Sequence, residues 1–230
     1  MKTEATFVLS AARAADFPRE GLPEIAFVGR SNVGKSSLIN ALVRRRVART
    51  SAAPGKTRLA NVFRVARGSA PPFYLVDLPG FGFARGDREE LATVVGEYFM
   101  QDRRDGQEGR EGQERAALLL VDARHPGLPK DLEAWQWLQR AVAHGAIVAT
   151  KVDKLSRSER QLAMKRNDAV FEHPVLPVSA VTGEGLDELW KLIDRLLSNR
   201  SPRRSPPRVE NRTAAPARPH PPPRNSSSRR

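Results

Sequence analysis

Residues 29–36 read Gly-Arg-Ser-Asn-Val-Gly-Lys-Ser, which is a complete G-x-x-x-x-G-K-[ST] phosphate-binding loop. Gly29 and Gly34 let the backbone curl so that successive N–H groups point at phosphate oxygens. Lys35 places a compact cation on the β and γ phosphate oxygens, and the Ser36 hydroxyl is a ligand for Mg²⁺. An apolar strand precedes the loop, and the helix that follows it has an N-terminus that favours an anion. The chemistry predicted here is the binding of a nucleotide phosphate chain with Mg²⁺; the alternative is a Gly-rich turn between a strand and a helix.

A second group of residues can read a nucleotide base. Thr150-Lys151-Val152-Asp153 follows the apolar run 146–149. The Asp153 carboxylate can accept hydrogen bonds from N1–H and the exocyclic amine of guanine, whereas adenine offers no such pair of donors. The Lys151 stem can cover one face of the base. Lysine and aspartate after a strand are common, but downstream of a phosphate loop they predict a guanine nucleotide.

Three more pieces fall in the order that a GTP-binding domain requires. Asp77 ends an apolar strand and can hold Mg²⁺ through water, and the Gly80 N–H can sense a γ-phosphate. Thr57 lies between the first helix and the next strand, and its hydroxyl is the candidate second protein ligand of Mg²⁺. The backbone N–H groups at 178–180 can serve the guanine O6. Taken singly, Asp77, Thr57 and Ser179 are better explained as an ordinary turn aspartate, a loop threonine and a helix-capping serine. Their order along the chain together with the other motifs is what predicts GTP binding.

The predicted site therefore gathers residues from separate stretches of the chain. Those predicted to surround the nucleotide are Gly29, Arg30, Ser31, Asn32, Val33, Gly34, Lys35, Ser36, Ser37, Gly55, Lys56, Thr57, Arg58, Leu59, Asp77, Leu78, Pro79, Gly80, Thr150, Lys151, Val152, Asp153, Val178, Ser179 and Ala180. The predicted metal ligands are Ser36, Thr57 and Asp77, and the predicted catalytic residues are Lys35, Thr57 and Gly80.

From about residue 5 to residue 197 the chain resembles the TrmE/Era-type translation GTPases, and most closely the EngB family of ribosome-biogenesis GTP-binding proteins. The resemblance is carried by the segments 7–10, 14–16, 29–37, 49–51, 54–57, 77–84, 122–126 and 151–155. After Asp-Leu-Pro-Gly this family usually has Tyr-Gly-Tyr, and the chain has Phe81-Gly82-Phe83, which keeps the rings and loses two hydroxyls.

The resemblance implies a slow GTPase that acts as a switch in large ribosomal subunit assembly, with a further role in cell division or septation left open. Phe81 stands where a Ras-type catalytic glutamine would be, so catalysis rests on phosphate positioning and charge neutralisation. In potassium-stimulated relatives an asparagine at the Asn32 position helps to hold K⁺; the alternative is that Asn32 only braces the loop. Arg30 leaves the loop at its far side and is not expected to act as an arginine finger.

Composition fits one globular domain inside the cytoplasm. The 230 residues are 40% hydrophobic, include no cysteine and show no apolar run long enough to cross a bilayer. The N-terminus lacks the basic-then-apolar pattern of a signal peptide. We expect an N-terminal extension at 1–20 packed on a GTPase domain at 21–198, and a monomer.

The formal charge of +13 is concentrated in the C-terminal tail. Residues 199–230 carry nine arginines and one glutamate, a charge of +8, and eight of the eighteen prolines. Such a segment cannot bury enough apolar surface to order itself, so we expect it to be disordered. A basic arm attracts RNA, but it can equally be a solubilising extension without a partner.

The alternation of strand and helix patterns predicts an α/β protein with the three-layer P-loop GTPase fold, in which helices cover both faces of a mostly parallel sheet with one antiparallel edge pair. Strands are expected near 7–9, 25–28, 59–65, 73–77, 116–122, 146–150 and 175–178. Helices are expected near 35–44, 88–101, 130–143, 156–169 and 186–197. The break at 67–69 has hairpin spacing and should join the antiparallel pair. The Gly-spaced segment 105–114 should be a solvated loop.

Two other classes of protein compete with this interpretation. The basic tail could tether a GTP-dependent scaffold to anionic lipid at a membrane or division site, although it has no amphipathic apolar face and no cysteine to lipidate. A nucleotide kinase shares the phosphate loop, but Thr150-Lys151-Val152-Asp153 disfavours it.

Overall fold

The computed structural model describes residues 2–18, 20–48, 59–81, 95–99 and 115–198. The strands are β1 (Thr3–Ala11), β2 (Glu24–Gly29), β3 (Ala60–Arg67), β4 (Phe73–Asp77), β5 (Arg115–Asp122), β6 (His144–Thr150) and β7 (Val175–Pro177). The helices are α1 (Lys35–Val43), α2 (Pro129–Ala141), α3 (Arg157–Phe171) and α4 (Leu186–Ser198), and residues 95–99 are also helical.

One seven-stranded sheet organises the described chain, in the order β1-β3-β4-β2-β5-β6-β7. The central pairings of β2 with β4 and β5, and of β6 with β5 and β7, are parallel. The predicted hairpin at 67–69 is present, because β3 and β4 pair antiparallel. The N-terminal strand adds a second antiparallel pairing, β1 with β3, which the sequence pattern did not indicate.

Helices cover both faces of the sheet, so the predicted three-layer α/β fold is confirmed. On one face α1 and α4 bury Leu38, Ile39 and Trp190 against the sheet. On the other face, the helical segment 95–99 and helices α2 and α3 contribute Tyr98 and Trp135, among others, to a second core cluster. The central strands β2, β4 and β5 are buried along their whole length, as expected for parallel strands with helices above and below.

The N-terminal segment is part of this sheet and also contacts the face that α2 and α3 cover. β1 runs beside β3 from Thr3 to Ala11 and contains a bulge between Phe7 and Leu9. Phe17 packs against Tyr98 with the ring centroids 4.8 Å apart. The sequence predicted a strand only at 7–9, where three apolar residues follow one another, because the residues on either side are polar or small.

Two tryptophans of α2 lie at the second core cluster, and three of the predicted segments fall partly or wholly outside the described residues. Trp135 is buried in the core, and Trp137 is partly buried against Phe99, with ring centroids 5.6 Å apart. The predicted helix near 88–101 is described only at 95–99, where it is helical. The loop at 105–114 and the tail at 199–230 lie outside the described residues.

Candidate functional site

The phosphate loop connects β2 to α1 and is shaped by two glycines. A Cβ atom on Gly29 would lie 2.7 Å from the Leu120 carbonyl oxygen, so only glycine allows β5 to run this close. Gly34 has φ of +110° and begins α1 without a side-chain cap. The first N–H groups of a helix have no acceptor inside it, so this end presents donors and a partial positive charge to an anion.

Lys35 lies along the inner side of the loop rather than in solvent. Its Nζ donates to the carbonyl oxygens of Gly29 at 3.0 Å and Arg30 at 3.2 Å, and the residue is only 8% exposed. Burial lowers the pKa of Lys35, and the nearby Asp77 carboxylate opposes that shift. The ammonium group is therefore already largely desolvated, with few solvent contacts to lose when it meets a phosphate.

Ser36 and Asp77 form an oxygen-rich pair at the start of α1 and the end of β4. The Ser36 hydroxyl donates to Asp77 Oδ2 at 2.8 Å. Asp77 is 1% exposed, and its Oδ1 has no hydrogen-bond partner among the described residues. Burial raises the pKa of Asp77, with Lys35 and Ser36 opposing. A buried carboxylate oxygen without a partner beside a hydroxyl is a donor set that fits Mg²⁺ or a water bound to it.

The segment after Asp77 is bonded directly to the phosphate loop. The N–H of Phe81 donates to the Gly29 carbonyl at 3.3 Å, and the N–H of Ser31 donates to the Phe81 carbonyl at 3.1 Å. The Ser31 hydroxyl also donates to the Gly80 carbonyl at 3.2 Å. A Cβ atom on Gly80 would lie 2.7 Å from the Ser31 nitrogen, so a glycine is needed for this approach.

The loop predicted to bind the base is hydrogen-bonded to the opposite side of the phosphate loop. The Thr150 hydroxyl donates to the Val33 carbonyl at 2.6 Å. The Lys151 ammonium donates to the Asn32 carbonyl at 2.6 Å, across a sequence separation of 119 residues. Lys151 has φ of +62° and Asn32 has φ of +61°, so both ends of this contact are set by unusual backbone conformations. The predicted phosphate and base segments are thus brought together.

Asp122, at the end of β5, was not among the predicted site residues. It accepts two side-chain hydrogen bonds from Arg124, at 2.9 and 2.7 Å, and one from Lys151 at 2.9 Å. Burial alone would raise the pKa of Asp122, but these hydrogen bonds lower that pKa to about 2. The carboxylate therefore stays charged and fixes the Lys151 side chain. The family segment 122–126 carried this residue, but no sequence pattern assigned it a role.

Asp153 is positioned by the loop that follows β7. Its Oδ1 accepts a hydrogen bond from the Ser179 hydroxyl at 2.7 Å, which is the first of the contacts that lower its pKa. The Ser179 N–H donates to the Glu184 carbonyl at 2.9 Å, and the Val178 N–H donates to the Ala149 carbonyl. Of the three backbone groups predicted to face guanine O6, only that of Ala180 has no acceptor among the described residues.

Arg30 points away from the nucleotide side of the loop. Its Nε lies 3.1 Å from Oδ1 of Asp131, a residue in the first turn of α2 that is 1% exposed. Burial raises the pKa of Asp131 to about 6, while Arg30 lowers it. This pair fastens the outer side of the phosphate loop to α2, a contact that residue types and spacing did not reveal.

The remaining predicted residues divide between described and undescribed segments. Val33 and Leu78 are buried, Ser37 is exposed, and Val152 is buried in a short 3₁₀ turn. Leu59 lies just before β3, whose Asn61 pairs with Asp77. Gly55, Lys56, Thr57 and Arg58 lie outside the described residues.

Known proteins with this arrangement were found by sequence and by structure. A family model described as "50S ribosome-binding GTPase" matches residues 24–151. A probable GTP-binding protein EngB of Pelotomaculum thermopropionicum is 42% identical over 199 residues, covering 83% of this chain and 94% of that protein. The corresponding protein of Solibacter usitatus is 41% identical over 201 residues, covering 86% and 98%.

Solved structures show the same fold. A crystal structure of a probable GTP-binding protein EngB matches with a TM-score of 0.54 and 25% identity, covering 77% of this chain and all of that one. Aquifex aeolicus Era bound to GDP and AlF₄⁻ matches with a TM-score of 0.61 and 24% identity. That match covers 78% of this chain and 58% of the Era chain.

Proposed function

This chain belongs to the EngB family of GTP-binding proteins and is a GTPase, and we propose that it acts as a GTP-dependent switch in assembly of the large ribosomal subunit. The observation that supports nucleotide binding is the pair of hydrogen bonds between two loops. Thr150 and Lys151 donate to the carbonyls of Val33 and Asn32, so the segment predicted to bind the base is bonded directly to the phosphate loop. The ribosomal part is supported by the description of the matching family.

Guanine recognition in this proposal belongs to three residues. Asp153 accepts from N1–H and the exocyclic amine, and Ser179 holds its carboxylate in place. The Ala180 N–H donates to O6, since it is the group in that loop with a donor to spare. Lys151 covers one face of the base with its methylene stem, while its ammonium stays anchored to Asp122.

Phosphate binding falls to the loop at 29–37 and the start of α1. In our proposal Lys35 turns from the loop carbonyls toward the β and γ phosphate oxygens. Ser36 and, with GTP, Thr57 supply hydroxyl ligands to Mg²⁺, and Asp77 holds it through water. When bound, Mg²⁺ neutralises charge on the β and γ oxygens. The Ser36–Asp77 hydrogen bond keeps both donors at the same place.

Hydrolysis is proposed to be slow without a partner. Lys35 stabilises the charge that develops on the transferring phosphate, the Gly80 N–H contacts the γ-phosphate, and Thr57 completes the closed state. Phe81 offers no side-chain group that could orient water, and its ring packs against the core. Arg30 is held by Asp131, which leaves the site without an arginine finger from this residue.

K⁺ is a further candidate cofactor, and Asn32 is its candidate ligand. Asn32 is exposed at the rim of the loop, and its carbonyl is already bonded to Lys151. A rate that differs between KCl and NaCl at matched ionic strength, and loses that difference in Asn32→Ala, would assign K⁺ to this residue. Equal rates in both salts would leave Asn32 with a bracing role alone.

The switch itself is proposed to involve the segments on either side of the γ-phosphate. The loop that carries Thr57 would close when its hydroxyl reaches Mg²⁺, and Gly80 with Phe81 would move with the phosphate. We further propose that the chain divides into an N-terminal extension at 1–20, a GTPase domain at 21–198 and an RNA-contacting tail at 199–230. The protein would work in the cytoplasm as a monomer.

Sedimentation of cell extract on a sucrose gradient tests the ribosomal role. Extract is run with a non-hydrolysable GTP analogue or with GDP, and fractions are blotted for the chain. We expect co-sedimentation with large subunits or their precursors in the analogue and release in GDP. A chain that stays at the top of both gradients contradicts the proposal.

The basic tail also supports a competing function, in which the chain is a scaffold at an anionic membrane or division site. None of the described helices is long and apolar enough to cross a bilayer. Liposome flotation of the full chain and of a chain ending at Ser198 separates this function from RNA binding. Flotation that depends on the tail would favour the scaffold.

A further inference from the structure

The end of α1 presents three consecutive arginines, Arg44, Arg45 and Arg46, which we call the arginine turn. All three are exposed, and none forms an ion pair or a side-chain hydrogen bond with a residue that the structure describes. Basic residues at a helix C-terminus gain a little from the helix dipole. Three adjacent guanidinium groups nevertheless repel one another, so a bound anion would stabilise them.

The arginine turn has a defined shape because Asn40 holds it. The Asn40 side-chain oxygen accepts the N–H groups of Val47 and Ala48, each at 2.8 Å, and its amide donates to the Ala48 carbonyl at 2.8 Å. Arg44 has φ of +51° and closes the helix. The backbone that carries the three guanidinium groups is thus fixed before any ligand arrives, which lowers the entropy cost of binding.

An exposed aromatic ring lies on the same face of the sheet as the arginine turn. Phe7 of β1 is 49% exposed, and one edge of its ring contacts Phe63 at a centroid distance of 5.8 Å. Ala5 of the same strand is buried beside α1 residues. Phe7 is three residues along β1 from Glu4, or about 10 Å.

The charges around this surface are mostly positive. Lys2 neutralises Glu4 through an ion pair of 2.7 Å, and Lys2 first and Arg45 after it lower the pKa of Glu4. Helix α1, which ends at the arginine turn, contacts β1 directly. Because α1 begins at the phosphate loop and runs back along the sheet for nine residues, about 14 Å, the arginine turn lies away from the nucleotide.

We propose that the arginine turn and Phe7 form a binding surface for single-stranded RNA, in which the guanidinium groups contact phosphates and the Phe7 ring stacks on a base. Arginine matches phosphate geometry, and exposed aromatic rings beside basic residues are the usual platform for unpaired nucleotides. This inference deepens the proposed ribosomal function by assigning a contact surface, and rests on it for its biological setting.

The test uses the full chain and a fluorescein-labelled oligouridylate of about 12 nucleotides, with binding followed by anisotropy over a salt series. Changing all three residues, R44A/R45A/R46A, should reduce the slope of log K against log salt by about 2, because about 0.7 counterion is released per phosphate contact. The control R157A/K165A/R166A removes the same charge from exposed positions on α3. Equal effects of the two triple variants would overturn the proposal.

Phe7 is tested separately from charge. Phe7→Ala should weaken oligouridylate binding about tenfold, and Phe7→Trp should restore it. The same assay with polyglutamate tests whether the surface binds an acidic protein instead of RNA. Polyglutamate has no bases to stack, so Phe7→Ala should leave its binding unchanged. Loss of binding to both polymers in Phe7→Ala, or to neither, contradicts the stacking role. Thermal unfolding of each variant identifies any loss that is due to the fold.

The RNA-binding surface and the proposed ribosomal function can fail independently of each other. The oligonucleotide assay contains no ribosomes, so it can fail while sedimentation with large subunits succeeds. Nucleotide binding and basal hydrolysis by R44A/R45A/R46A should match the parent chain, because the turn lies away from the nucleotide site. A triple variant with weakened GDP binding would show that the turn serves the nucleotide site and would overturn its assignment to RNA.

Discussion

In the proposed function, Asp153 is the residue whose carboxylate distinguishes guanine from the other common bases. In Asp153→Asn the amide oxygen still accepts from Ser179, but the amide nitrogen now donates where guanine also donates. We expect GTP affinity to fall by about 3 kcal/mol, on the order of 100-fold, and XTP to become the preferred nucleotide. Competition of GTP and XTP against a fluorescent nucleotide measures this. A variant that still prefers GTP would remove Asp153 from base recognition.

Substitutions of Ser36 and Thr57 test whether these residues are the ligands of Mg²⁺. Ser36 touches Asp77, and its position at the start of α1 is independent of the γ-phosphate. Ser36→Ala should therefore weaken Mg²⁺-dependent binding of both GTP and GDP, whereas Thr57→Ala should weaken GTP binding alone. Titrations with GDP and with a GTP analogue, with and without Mg²⁺, give the comparison. Equal losses for both nucleotides in Thr57→Ala would contradict the switch.

Asp122 is a residue whose importance only the structure shows. Asp122→Asn keeps the shape but removes the charge that holds Lys151 and Arg124. We expect GDP and GTP affinity to fall by about 1–2 kcal/mol, roughly tenfold, because Lys151 loses its fixed place over the base. Arg124→Ala is the matched control, since it leaves the Lys151–Asp122 bond intact and should have a smaller effect. Equal affinities of Asp122→Asn and the parent chain would show that Lys151 needs no such anchor.

These residues show which parts of the site a sequence can predict. The phosphate loop and the Thr150–Asp153 segment are contiguous motifs, so their residue types and order were sufficient to place them. Asp122 and Asp131 act through partners far away in the sequence, Lys151 and Arg30, and pairing of this kind depends on which strand ends lie side by side. Neither residue differs in local sequence from an ordinary carboxylate after a strand or in a first helical turn.

At the scale of elements, the strands with continuous apolar runs were predicted within a few residues. The sheet order and the edge strand were harder. Outside its apolar run at 7–9, β1 consists of polar residues and small alanines, so its hydrophobic signal is weak. The bounds of α1 likewise follow from Asn40 and the left-handed Arg44, which end the helix at Val43 although the basic residues beyond it favour helix.

The segment that joins β4 to the phosphate loop gives an element-scale prediction. Phe81 makes its contacts to Gly29 and Ser31 through backbone atoms, and its ring is partly buried against the core. Phe81→Ala should therefore leave basal single-turnover hydrolysis within about twofold of the parent and reduce the free energy of unfolding by about 1–2 kcal/mol. Phe81→Leu should restore stability. Loss of basal hydrolysis in both variants would assign the ring a chemical role.

Over the whole molecule, charge is distributed between two regions of different character. The nucleotide site balances cations against buried carboxylates, through Lys35 with Asp77, Lys151 with Asp122 and Arg30 with Asp131. The tail at 199–230 carries most of the net positive charge. Salt should therefore weaken RNA binding strongly and nucleotide binding much less, because buried pairs are poorly screened.

Burial of Asp131 beside Arg30 should make the stability of the domain depend on pH. Burial raises the pKa of Asp131 to about 6 from an ordinary value of 3.8, against opposition from Arg30 and with a smaller contribution from Asp122. The folded state thus holds this proton more tightly than the unfolded chain does. Its contribution to the free energy of unfolding is full below pH 3.8, falls as the pH rises toward 6, and is lost above 6.

Asp131→Asn removes this titration while keeping the size of the side chain. Compared with this variant, the parent chain should lose up to about 3 kcal/mol of unfolding free energy between pH 4 and pH 7, since each unit of pKa shift corresponds to about 1.4 kcal/mol. Urea unfolding across that range measures the difference. Asp187→Asn, an exposed carboxylate on α4, is the control and should follow the parent curve. A constant difference between Asp131→Asn and the parent would mean that Arg30 keeps Asp131 charged throughout, and the pair would then fasten the phosphate loop equally at every pH.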